Sequence, residues 1–349
     1  MLSIDWLQIS ILFHPDVKTF TPSMHYEFIE TDKKTINFNK LHEVRYHGQT
    51  IAYITSEPRH DWMDKTLMII KFENSYLYAD NLDAKIHCFL TFNKLVFRGY
   101  TRLDVAYDFN KFDTGQHPKE FIKHYMAGAF RKTDKCKMAA YGSNKEGFDP
   151  EYIKWGKGTS DLSYYLYNKT IELREVKHKD WIVQRWLSAG YDISDVWRLE
   201  FRIKSQHKMI VDDFGGESKT LQEFGLELLN ARNQKTLFSA LYTRYFDFRQ
   251  RNGDSNVTRM PRIELFKDFR AYGFHIQDRP KSDKHTSRSE KIFIKMMCDY
   301  NEEMQRLYPD FFSDHDIKVF EGAIAVKIKQ AGLLDWAYTR NFVPPSVFG

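Results

Sequence analysis

Along the first two hundred positions, stretches in which apolar and polar residues alternate give way to stretches in which apolar residues recur three and four apart. Residues 5–11, 47–55, 66–78, 100–109, 162–172 and 196–203 are of the first kind, rich in Ile, Val, Tyr, Phe and Thr, and predict strands. Residues 82–95, 118–127 and 177–189 are of the second kind and predict amphipathic helices, with Gly128 and Gly190 just past two of their ends. The mixture is that of an α+β fold.

Two segments look alike. Ser75-Tyr76-Leu77-Tyr78, a helical stretch and Arg102-Leu103-Asp104 resemble Ser163-Tyr164-Tyr165-Leu166-Tyr167, a helical stretch and Arg198-Leu199-Glu200. Short matches also recur by chance in a Tyr-rich chain. A true duplication predicts two similar strand-helix-strand halves in one mostly antiparallel sheet, with helices on one face and the acids brought into one cleft. Beyond residue 215 the texture is helical, over 221–229, 237–249, 291–307 and 317–331, broken by a polar, basic loop at 278–289. The expected boundary is near Gly215-Gly216, dividing a catalytic region, 1–215, from a mainly helical C-terminal region, 216–349, that binds duplex DNA, binds a partner or caps the core.

Composition narrows the class. With 349 residues, 42% hydrophobic and 28% charged, and only 17 Gly and 10 Pro, disorder and collagen-like repeats are excluded. Cys88, Cys136 and Cys298 lie far apart, so neither a disulfide scaffold nor a cysteine zinc site is expected, and a reduced cytosol is the expected compartment. The N-terminus has no basic region, Asp5 and Gln8 interrupt its apolar run, and no eighteen apolar residues follow one another, which predicts neither export nor a membrane span. A net charge of +5 assists the approach of a polyanion without establishing one. The 28 Phe, 20 Tyr and 7 Trp fill a β-rich core or, interleaved with Lys and Arg, stack unpaired bases.

Alternation also sorts the polar residues. In 102–109, Arg102, Asp104, Ala106 and Asp108 share one face, opposite Leu103, Val105, Tyr107 and Phe109. Two carboxylates on one face require a metal, Arg102 or solvent to compensate their charge. In 197–203, Arg198, Glu200 and Arg202 oppose Leu199, Phe201 and Ile203. An exposed strand laced with salt bridges has the same pattern. Taken together, Asp104, Asp108 and Glu200 form an oxygen set of the kind that holds Mg²⁺ or Mn²⁺, and Arg198 and Arg202 are placed to contact phosphates. In 162–172, Tyr165, Tyr167 and Lys169 share a face. A phenol of pKa about 10 needs a neighbouring cation or base to act as a nucleophile, and Lys169 and a bound metal are candidates. None of the 13 His forms a His-hydrophobe-His pair, which leaves carboxylates to hold a metal, and no GxxxxGK[ST] loop is present for helicase activity.

The order Ile4-Asp-Trp-Leu7, then Arg102-Leu-Asp-x-x-x-Asp108, then Leu166-Tyr-Asn-Lys-x-x-Glu172, then Arg198-Leu-Glu-Phe-Arg202 resembles the replication initiation factor family, which comprises rolling-circle plasmid initiators and related relaxases of conjugative elements. The match spans about residues 4 to 205, and phage-type initiators share a similar Tyr-Asn-Lys segment. The resemblance implies that Tyr167 attacks one phosphodiester of an origin, leaving a 5′-phosphotyrosyl link and a free 3′-OH. It implies that Asp104, Asp108 and Glu200 hold the Mg²⁺ or Mn²⁺, with Lys169 beside the tyrosine and Glu172 as a further ligand or base. Glu172 lies five residues from Tyr167, so a bulge or a helix onset must bring the two to one side. Arg102, Lys157, Arg198 and Arg202 are the implied phosphate contacts; Lys157 sits in Gly156-Lys-Gly-Thr-Ser160, where relatives often carry Gly-x-Arg-x-Ser. Tyr165, on the same predicted face, is the alternative nucleophile. Implied partners are origin DNA, duplex and single-stranded, with a host helicase and polymerase; homodimerisation is left open. Recognition of the duplex origin is expected in the helical region with the loop 279–291. A conjugative relaxase shares this chemistry, and a non-catalytic DNA-binding protein with a solvated acidic sheet face is the reading from another class.

Overall fold

The computed structural model describes residues 1–277 except 62, 135, 144–147, 158–159, 176–177, 205–209, 214–217 and 270–273, and beyond 277 it describes only positions 297 and 306. In chain order the elements are β1 (Leu2–Phe13), β2 (Tyr26–Thr31), β3 (Phe38–Tyr46), β4 (Gln49–Pro58), β5 (Met68–Phe72), α1 (Asn74–Leu77), α2 (Leu82–Phe92) and β6 (Leu95–Phe109). There follow α3 (Pro118–Met126), β7 (Phe130–Lys132), β8 (Met138–Ser143), β9 (Asp149–Trp155), β10 (Leu162–Asn168), α4 (Lys169–Glu175), α5 (Asp180–Ser188) and β11 (Trp197–Lys204). After β11 come β12 (Ile210–Asp213), β13 (Ser218–Thr220), a 3-10 turn (Gly225–Leu229), α6 (Ala231–Tyr245), β14 (Phe248–Gln250) and β15 (Phe274–Gln277).

Ten strands form one sheet in the order β2-β3-β4-β5-β1-β6-β11-β10-β9-β8, and every pairing in it is antiparallel. The α+β class and the antiparallel sheet are as the sequence predicts. The two strand-helix-strand segments close differently. β5 and β6 flank β1 and therefore run parallel to each other, whereas β10 and β11 are antiparallel neighbours. The matching tetrapeptides also differ in conformation: β5 ends at Phe72 and Asn74–Leu77 is helical, while Ser163 to Tyr167 is strand. The short helix turns the chain so that the Tyr78 hydroxyl reaches Asp5, which a continued strand would prevent. The resemblance of the halves lies in the letters and not in the topology.

Alternation decides what each face of the sheet buries. Leu103, Val105, Phe109, Leu199, Phe201 and Ile203 point to one side and are buried there. α6 lies on that side: Phe238 meets Tyr107 at 5.8 Å and Phe201 at 5.4 Å between ring centroids. α5 lies on the other side, where Trp186 donates its indole N–H to Asp108. Helices therefore cover both faces, not one, because the polar face is itself roofed at the Asp108 end. The chain divides into two compact units, Met1–Gln277 and Asp278–Gly349. The expected break near Gly215-Gly216 falls inside the first, since Leu237, Phe238 and Leu241 of α6 complete the core of the sheet. The predicted helices at 291–307 and 317–331 and the basic loop lie outside the described residues, apart from positions 297 and 306.

Candidate active site

Three strands align the polar face in lateral rows. Asp108, Arg198 and Tyr167 stand opposite one another across β6, β11 and β10. Ala106, Glu200 and Tyr165 make the next row, and Asp104, Arg202 and Ser163 the third. β1 adds to this face through an irregularity between Ile4 and Trp6, where its register with β6 shifts. Ile4 and Leu7 are buried on the apolar side, and Asp5 and Trp6 both line the polar cleft. A β-bulge of this kind puts two consecutive side chains on one face, which strict alternation forbids. The cleft so formed has a volume of about 720 Å³.

The strand-to-helix junction explains the Tyr-Asn-Lys-x-x-Glu sequence. β10 ends at Asn168, whose side-chain oxygen accepts from the Ile171 N–H at 3.0 Å and so caps a helix that starts at Lys169. The Asn168 amide is held in turn by Asp195 at 2.8 Å. This helix onset brings Glu172 to the cleft together with Tyr167. Lys169 is buried, its Nζ 2.5 Å from Glu172 Oε2 and 5.5 Å from the centroid of the Tyr167 ring.

Tyr167 donates its hydroxyl proton to Glu200 Oε2 at 2.8 Å. Burial, with the negative charges of Asp104 and Asp5 nearby, raises Glu200 to about 7, against the opposing pull of Arg198 and Lys169. Burial and the Glu200 charge push the Tyr167 phenol well above its ordinary value, so the resting pair is a neutral phenol on a carboxyl that titrates near neutrality. Asp5 differs: burial is the largest single influence and works against its charge, but Arg198, Lys169, Lys179 and the Tyr78 hydroxyl together outweigh it and hold Asp5 below the usual carboxylate range.

The other expected residues divide sharply. Arg198 and Asp108 are fully buried, with Arg198 Nε 2.6 Å from Asp108 Oδ1 and Nη2 2.9 Å from Oδ2; Trp186 supplies a further bond to Oδ2 at 2.8 Å. Arg198 also reaches Asp5 at 2.5 Å and the Tyr78 hydroxyl at 2.7 Å. Neither Asp108 nor Arg198 faces the cleft, so Asp108 is corrected from metal ligand, and Arg198 from phosphate contact, to a buried ion pair that fixes β6 against β11. Asp104 is buried between Arg102, on both carboxylate oxygens, and Arg202, whose Nε lies 3.1 Å from Oδ2.

Asp104 and Asp108 are four residues apart on one strand, about 13 Å at 3.3 Å per residue, too far to share a cation. Among the described residues no group of three His, Cys, Asp or Glu side chains is placed to hold a metal ion. The set Asp104, Asp108 and Glu200 therefore does not fit a divalent ion.

Arg102 and Arg202 do line the cleft, joined by Lys71, Lys154 and Lys179, which the sequence reading did not single out. The pattern Glu151-Tyr-Ile-Lys-Trp155 carried the signal: Ile153 and Trp155 are buried, and Tyr152 and Lys154 alternate to the cleft side. Lys157 is exposed at the turn between β9 and β10 and is not among the cleft residues. Tyr165 is buried, its hydroxyl shared between Ser163 Oγ at 2.9 Å and Arg202 Nη1 at 3.0 Å, with no carboxylate as partner.

No family model matches the chain, and no curated protein matches its sequence. Among solved structures, the fold is similar to that of the rolling circle replication initiator protein from Geobacillus stearothermophilus, at 13% sequence identity and a TM-score of 0.43, over 77% of this chain and 94% of that one. No helix among the described residues is long and apolar enough to cross a membrane.

Proposed function

We propose that the chain is a DNA nicking and joining enzyme that initiates rolling-circle replication, with Tyr167 as nucleophile and Glu200 as its base. The observation that carries the chemistry is the 2.8 Å hydrogen bond from the Tyr167 hydroxyl to a carboxyl raised to about 7. A base poised near the working pH is the arrangement that general-base catalysis favours. Tyr165 lacks such a partner. The assignment to replication rests on the ordered resemblance of the four short motifs.

As Tyr167 Oη bonds to phosphorus, its proton passes to Glu200 and the bond from phosphorus to the 3′ oxygen breaks. The protonated Glu200 can return that proton to the leaving oxygen, so the step balances with one carboxyl. Among the cations in a cleft that carboxylates also line, Arg102, Arg202 and Lys154 are the donors for the phosphate oxygens, Arg102 and Arg202 while paired with Asp104. Reversal of the step rejoins the strand.

Supercoiled DNA carrying the cognate origin tests the reading. Tyr167→Phe should abolish both the nicked circle and the detergent-stable protein–DNA adduct, while Tyr165→Phe retains them. An adduct yield in Tyr167→Phe equal to the wild type overturns the assignment.

A further inference from the structure

We propose that the tyrosines leading from the sheet edge to Tyr167 form a stacking track for an unpaired DNA strand, with Tyr141 as the outer platform and Tyr152 as the inner one. The proposal rests on the reading of Tyr167 as nucleophile and names how its substrate is held. Tyr141 of β8, Tyr152 of β9 and Tyr167 of β10 stand directly opposite one another in a single lateral row. The ring centroids of Tyr141 and Tyr152 are 5.6 Å apart, and Tyr152 lies 6.2 Å from Tyr167 and 6.0 Å from Tyr165. Two strand spacings make the row about 10 Å long, the length of two to three nucleotides at a stacked rise of about 3.4 Å.

The outer ring is open. β8 is the last strand of the sheet, and Tyr141 is 61% exposed, so its ring is accessible from solvent. The backbone aims it: the register of β8 with β9 shifts between Tyr141 and Gly142, and a Cβ on Gly142 would collide with the Asp149 carbonyl. Cations flank the track, with Lys154 Nζ 5.3 Å from the centroid of the Tyr165 ring and the Arg202 guanidinium 4.8 Å from it. Open rings beside positive charge suit planar bases strung on a phosphate backbone. An apolar peptide would bring no anionic group to these cations, and duplex DNA buries the base faces that the rings need. The far wall offers charge instead, because Lys71 and Arg102 already lie over the Trp6 ring at 4.2 and 4.0 Å.

The test measures binding of a fluorescein-labelled twenty-nucleotide oligo(dT) by anisotropy, with the full chain and no cleavage required. Tyr141→Ala should weaken binding about five- to a hundredfold, the range for losing one base-stacking ring. Tyr141→Phe should bind as the wild type does. The slope of log K against log salt should be the same in Tyr141→Ala, since no charge is removed, and shallower by about 0.7 in Lys154→Gln. Replacing the bases with abasic residues should weaken wild-type binding at least as much as Tyr141→Ala does. Matching urea midpoints show that the variants fold. Affinity within twofold of wild type in Tyr141→Ala, or equal wild-type binding of the abasic strand, overturns the track. Ring-dependent binding without any adduct at Tyr167 would leave the track standing and remove the nucleophile; an adduct at Tyr167 with binding unchanged in Tyr141→Ala would do the reverse.

Discussion

Glu200 links the buried electrostatics of the cleft to its chemistry. Its carboxyl must be ionised to take the Tyr167 proton, so adduct formation should rise with pH through about 7 and level off above it. Removing the like charge of Asp5 with Asp5→Asn should move that rise to lower pH. An unshifted profile would show that another group is the base. The same carboxyl costs stability when charged. Its pKa rises from the ordinary 4.5 to about 7 on folding, so the folded chain holds the proton more tightly, and stability is highest below about 4.5 and falls as pH climbs to 7. Glu200→Gln should therefore be more stable than the wild type at pH 8, by up to about 3 kcal/mol, and no more stable near pH 4, measured by urea unfolding. Asp108 behaves differently although the sequence pairs it with Glu200. With its partner Arg198 fully buried, Asp108→Asn should cost about 3–5 kcal/mol, with the same loss in chelator as in Mg²⁺. A stable variant whose metal requirement had changed would restore Asp108 as a ligand.

At the scale of elements, legibility in the sequence follows the range of the interactions. The run Tyr167-Asn168-Lys169 is legible in part because its grammar is local: strand, capping amide, helix, with the helix onset that Glu172 requires supplied by the Asn168 cap. Period two correctly sorted Arg102, Asp104, Arg198, Glu200 and Arg202 to a polar face. It could not say which residues meet across strands, because register is a long-range property. Hence Asp108 and Arg198, 90 residues apart in sequence, neutralise each other under Trp186 instead of reaching the cleft. Asp5 was visible as an interruption of an apolar run and within the Ile4-Asp-Trp-Leu7 motif, with no role attached, since the irregularity that turns it beside Trp6 has no marker in β1. Tyr78 was read as strand because Thr66 to Tyr78 is rich in β-formers. The hydrogen bonds that make it a helix-end residue, to Asp5 and Arg198, come from elements far along the chain.

At the scale of the molecule, one sheet carries both a hydrophobic core and a charged cleft, and α6 belongs to that core, so the compact unit to which the proposed cleavage is assigned extends to Gln277. A chain ended after Gln277 should cut a single-stranded origin oligonucleotide at a rate within about threefold of the full chain and bind the duplex origin at least tenfold more weakly, by a gel-shift titration; equal loss of both activities would place cleavage and recognition in a shared structure. The phenol bonded to Glu200, and no other, should carry the DNA. Digestion of the covalent adduct formed by the full-length protein on its cognate origin, followed by tandem mass spectrometry, reads this directly. A 5′-linked nucleotide on Tyr167 is the expected result; a nucleotide on Tyr165 or on any other residue overturns the assignment.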